Sequence, residues 1–145
     1  MTNRFHLAIP AGDLNVAMKF YCDLLGCKKG NSETGSCDSW VDINFWGNEL
    51  TLHASNPDES LHGKRHDVDM GNVFVPHFGV HLSALDFDAL KQRLNDQNIP
   101  YVNEPYIRFE GTDFELETFF IADPIGNILE IKTMKKPDKL FEVTH

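Results

Sequence analysis

The chain has 145 residues, enough for one domain with a sizeable core, and its 41% hydrophobic and 24% charged content is that of an ordinary globular protein. A formal net charge of −9 argues against nucleic acid and anionic membrane surfaces as partners, since both call for a basic footprint. No stretch is apolar enough to span a bilayer or serve as a signal peptide, and Cys22, Cys27 and Cys37 form neither a C-x-x-C motif nor an even set, so a cytoplasmic protein with reduced thiols is expected.

The first strand, around Phe5–Ile9, ends near Pro10. Asp13 is then a plausible N-cap for a helix with apolar positions at 14, 17, 20 or 21, 24 and 25, which Gly26 stops. A Gly- and Ser-rich turn is expected over residues 30–36, followed by strands at 39–45 and 49–54 joined at Trp46-Gly47-Asn48. Residues 55–75 are the most polar stretch and read as a connection, with His62, His66, Asp67 and Asp69 in a solvated loop. The second half repeats the order: a strand at 77–84, a helix at 86–94 capped by Asp86, strands near 100–103, 106–110 and 116–122, a turn at 123–127 and a last strand at 128–133. The tail beyond Met134 is expected to lie along the surface or against another subunit. The pattern is an α+β fold, β-α-β-β-β repeated, with module one at about 1–55, a connection at 56–75, module two at about 76–134 and a tail at 135–145.

Strand parity singles out four residues. Side chains alternate between the faces of a strand, so His6 opposes Phe5, Leu7 and Ile9, and His53 opposes Leu50 and Leu52. Likewise His77 opposes Phe78 and Val80, and Glu130 opposes Leu129 and Ile131. If each helix covers the apolar face, all four candidates point to the other. Imidazoles with one carboxylate suit Fe(II), Zn, Mn, Ni or Co better than Ca or Mg, which prefer oxygen shells.

The run from His6 to Gly26, with Phe20-Tyr21 and Leu24-Leu25-Gly26, resembles the opening module of the glyoxalase/bleomycin resistance/extradiol dioxygenase (vicinal oxygen chelate) superfamily. Asp123-Pro124-Ile125-Gly126-Asn127-Ile128-Leu129-Glu130 resembles its closing strand. The resemblance implies two βαβββ modules forming a cup of mixed sheet, with helices outside, around a divalent metal. It carries ligand roles onto His6, His77 and Glu130. It also implies a homodimer and a small oxygenated substrate bound through two oxygens. In the glyoxalase I branch the closing strand of module one supplies a glutamate, whereas His53 stands there, changing the formal ligand charge from −2 to −1.

Three further residues are candidates for substrate contact. His81 shares the parity of His77, Arg108 has apolar neighbours and could clamp a carboxylate or phosphate, and Phe120 could form a pocket wall. Phe120 also occupies the place, three residues before the Asp-Pro turn, where extradiol dioxygenases typically carry a tyrosine. Metal-dependent lyase and dioxygenase (oxidoreductase) chemistry both stay open. The alternative is a metal-free binding protein of the bleomycin-resistance kind.

Overall fold

A computed structural model describes residues 3–35, 39–61, 63–68 and 71–143. The chain divides into two compact units, residues 1–62 with 123–127 and residues 63–122 with 128–145.

In the first unit, β1 (His6–Pro10) runs parallel to β4 (Asn48–His53), which pairs antiparallel with β3 (Trp40–Phe45), itself antiparallel to the edge strand β2 (Lys28–Glu33). Strand β2 replaces much of the expected Gly/Ser turn. Its sequence, KKGNSE, is exposed throughout and has no apolar alternation to announce it. β3 and β4 meet at Trp46-Gly47, whose φ values of 47° and 91° are those of a two-residue I′ hairpin turn. Asp13 caps helix α1 (Leu14–Met18), its carboxylate accepting from the amides of Asn15 and Val16. The helix widens into π turns at Lys19–Leu24, which bury Phe20, Tyr21 and Leu24. Ile9, Val41, Ile43, Leu50 and Leu52 form the buried side of the sheet, and α1 packs against β4.

The turn at 123–127 belongs to this unit. Asp123 Oδ1 accepts from the amides of Ile125 and Asn127, and Asp123 Oδ2 from the Tyr21 hydroxyl and Asn127 Nδ2. Asn127 Nδ2 also donates to the Pro10 carbonyl, and its Oδ1 accepts from the Leu61 amide. Burial, then the negative charge of Asp123, pushes the Tyr21 phenol well above its ordinary range, so it remains a donor.

The second unit repeats the strand order. Here β7 (Phe78–His81) lies parallel to β10 (Ile128–Met134), followed antiparallel by β9 (Leu116–Ala122) and β8 (Asn103–Arg108). β8 is one strand with an irregularity between Asn103 and Tyr106, next to Pro105, where the sequence suggests two short strands. Helix α2 (Ala84–Asp96) begins two residues before Asp86. Ser83 is its N-cap, the hydroxyl accepting from the Asp86 amide. It buries Phe87, Leu90 and Leu94 and packs against β10. Burying each such side chain contributes roughly 1.5–3 kcal/mol.

The connection is not a plain loop. It contains a hairpin, β5 (Lys64–Val68) with β6 (Gly71–Val75). Val73 of β6 is buried with Phe120 and Ile128, with Phe74, Val102, Tyr106 and Ala122 packed against them. Arg65 donates to Asn72 O and to Asn103 Oδ1 and stacks over Phe74. His66 lies exposed on β5, while His62 and Asp69 fall outside the described residues. Cys22, partly buried, and Cys27, buried, are in no disulfide, and Cys37 falls outside the described residues.

Candidate metal centre

The site in the second unit follows from register. Across β7, β10 and β9, Gly79, Glu130 and Phe120 form one row, and His81, Lys132 and Thr118 the next. Residues directly opposite in a sheet share a face, so these two rows lie on the face away from α2, where Lys91 of the helix reaches Glu117 instead. Gly79 is required at its place, because a Cβ there would collide with the backbone of Glu130.

Glu130 is only 6% exposed. Its Oε1 meets His77 Nε2 at 3.0 Å, with Lys132 Nζ at 3.6 Å, and its Oε2 accepts from the Thr118 hydroxyl at 2.6 Å. Burial pushes this carboxyl upward, but the hydrogen bonds from His77 and Thr118 and the Lys132 charge outweigh it and hold the pKa below the usual value. His77 stands just before β7, after the cis Val75–Pro76 peptide. Its Nδ1 donates to the Phe74 carbonyl at 2.6 Å, since a carbonyl can only accept. That bond turns Nε2 toward Glu130. The hydrogen bond to Glu130 raises the His77 pKa, burial opposes this, and the Phe74 carbonyl adds to the rise. The ring packs edge-on against Phe120, with centroids 5.0 Å apart.

The same face holds the other candidates of this unit. His81 lies one row from Glu130, its pKa lowered by burial and then by Lys132. Arg108 falls in the row of Leu116 and Met134, its guanidinium 4.7 Å from the Phe109 ring centroid. Phe120, at 1% exposure, is core that braces His77 rather than an open wall.

In the first unit, parity holds but position does not. His6 is the register partner of Glu49, and their side chains meet, Nδ1 to Oε1, at 2.6 Å. His53 partners Pro10, four residues further along the same face, about 13 Å away at the usual strand rise. His6 and His53 are therefore not brought together, whereas His6 and Glu49 are. A groove lined by Arg4, Gly30, Asp42, Asn44 and Glu49 opens beside them, and Asp42 accepts from the Thr51 hydroxyl. Glu49 was open to the same reasoning, since it shares the parity of His53.

Each unit thus presents an imidazole–carboxylate pair among its described residues. Within either unit, no three His, Cys, Asp or Glu side chains among the described residues group as a metal centre. The His77–Glu130 pair nevertheless fits a divalent cation. Its carboxylate is ionised and largely desolvated, and its imidazole has the outer nitrogen fixed by a carbonyl, as metal-binding histidines commonly do.

The model of the Glyoxalase/Bleomycin resistance protein/Dioxygenase superfamily matches residues 4–131. This chain belongs to that superfamily. A glyoxalase/bleomycin resistance protein/dioxygenase from Alicyclobacillus acidocaldarius is 33% identical, with 97% of each chain covered and a TM-score of 0.72. The fold alone is shared with the fosfomycin resistance protein FosX from Listeria monocytogenes (13% identity, 97% and 99% covered, TM-score 0.67). It is likewise shared with the lactoylglutathione lyase from Agrobacterium tumefaciens (23% identity, 99% and 98% covered, TM-score 0.61). No curated protein matches the chain. Among the described residues, no helix is long and apolar enough to cross a membrane.

Proposed function

We propose that this protein is a divalent-metal-dependent enzyme acting on a small oxygenated molecule. The observation that carries this reading is the His77–Glu130 pair, a desolvated carboxylate against an imidazole pinned by a backbone carbonyl. Fe, Zn, Mn, Ni or Co would suit these donors. In the first unit, His6 offers the same kind of donor pair, with Glu49 favoured over His53 as its partner by the 2.6 Å pairing. Such a metal supplies Lewis acidity, stabilising negative charge that develops on substrate oxygens.

The chain's own residues would do the rest. Glu130 and His77 hold the cation in fixed orientation, and Phe120 braces the His77 ring. His81, kept neutral at pH 7 by burial and Lys132, carries an unprotonated ring nitrogen able to take a proton from a bound substrate. Arg108 would pair with a substrate anion. Between the two chemistries, Glu49 favours the glyoxalase-type lyase over dioxygen chemistry. Paired with His6 at 2.6 Å, it would supply a first-module carboxylate of the kind the glyoxalase I resemblance calls for.

The test is metal analysis of protein purified without chelator, followed by assays of the reconstituted enzyme. About one equivalent per chain, lost on His77→Ala, together with turnover of the methylglyoxal–glutathione adduct, is the expected result. Less than roughly 0.2 equivalent after anaerobic reconstitution would instead point to the metal-free binding protein. Oxygen uptake with catechols would favour the dioxygenase. We also propose a homodimer, which light scattering on the purified protein would check.

A further inference from the structure

We infer that Thr118 is a positioning residue that makes Glu130 present a single carboxylate oxygen to a metal; this rests on the reading that His77 and Glu130 hold one. Thr118 lies on β9 opposite Lys132, diagonal to Glu130, and is 0% exposed. An ionised carboxylate only accepts hydrogen bonds, so the hydroxyl spends its one proton on Oε2, at 2.6 Å. The β-branched side chain has few rotamers, and the strand fixes its backbone, so the bond defines the plane of the carboxylate. Oε1 is then the oxygen turned toward His77 Nε2. The hydroxyl takes up one of the lone pairs of Oε2, so chelation through both carboxylate oxygens would have to compete with a buried donor. A Glu130 held to one oxygen would leave more coordination positions for substrate oxygens.

A purely structural hydroxyl would satisfy Oε2 without affecting the metal, and cobalt distinguishes the two roles. Co(II) is titrated anaerobically into wild type, Thr118→Ser and Thr118→Val, following affinity by calorimetry and coordination by the visible d–d bands. Glu130→Gln serves as the control for the metal site itself. Thr118→Ser is expected within about threefold of wild type, and Thr118→Val weaker by roughly ten- to a hundredfold with altered bands. Wild-type affinity and bands in Thr118→Val overturn the inference while leaving the metal reading intact, as does equal weakening in the serine and valine variants. No binding by wild type, or undiminished binding by Glu130→Gln, overturns the metal reading and this inference with it. Should Thr118→Val not fold, Thr118→Ala is compared with Thr118→Ser by the same criteria.

Discussion

The Tyr21 hydroxyl donates to Asp123 Oδ2 at 2.8 Å, joining residues 102 positions apart inside one unit. The two sequence features that carry the family resemblance, the Phe-Tyr helix and the Asp-Pro-x-Gly-Asn turn, are thus bonded to each other. Their role is architectural. The turn holds the first unit together and delivers the chain into β10, where Glu130 sits.

Tyr21→Phe should therefore destabilise the protein by about 1–3 kcal/mol, because Asp123 Oδ2 stays buried with one donor fewer. Asp123→Ala should cost more, since it strands the Tyr21 hydroxyl, two amides and the Asn127 side chain. Urea unfolding of the variants measures both. Equal midpoints for wild type and Tyr21→Phe would show that the bond contributes nothing.

Glu49 and His53 make competing claims on His6. Glu49→Gln should weaken metal binding about tenfold or more, whereas His53→Ala should change it by less than about threefold. Metal titrations of the two variants side by side decide the matter, and the reverse order would restore His53 to the ligand set.

The His77–Glu130 pair should also set a pH dependence in chelator-treated protein. The His77 pKa is raised above 6.5 in the folded state, so its stabilisation is complete below 6.5 and lost as pH rises through the folded value. The Glu130 pKa is depressed below 4.5, so its contribution is present above 4.5 and lost as pH falls through the folded value. Both act together between about 4.5 and 6.5. Urea midpoints for wild type minus His77→Gln should shrink between pH 6.5 and 8.5, and a constant difference across that range would contradict the assignment.

Phe120→Ala should cost about 3–5 kcal/mol, because the ring is fully buried among Val73, Ile128 and His77. Phe120→Leu should be far milder. If thermal unfolding shows Phe120→Ala at wild-type stability, the residue is a pocket wall and not core.

Where the chain alternates or repeats every 3.6 residues, its structure was readable: β1, β4 and β10 by parity, α1 and α2 by period. β2 escaped because an exposed edge strand needs no apolar face, and KKGNSE shows none. The β5–β6 hairpin escaped because a polar stretch hid one buried residue, Val73. Parity names a face but not a position along it. It selected His53 and passed over Glu49 because only the parallel register of β1 on β4 reveals which of the two lies opposite His6. For His77 and Glu130 parity sufficed, since the Phe74 carbonyl and the strand pairing bring them together.

The clamp by Asp123 and Asn127 carries a consequence for biosynthesis. A nascent chain that has emerged only to Ala122 already contains β1 to β4, yet it lacks the acceptor for the Tyr21 phenol and the donor for the Pro10 carbonyl. Long-range closures of this kind form late in folding. Residues 1–62 can therefore complete the hydrogen bonds of their unit only once residues 123–127 are free to dock on them.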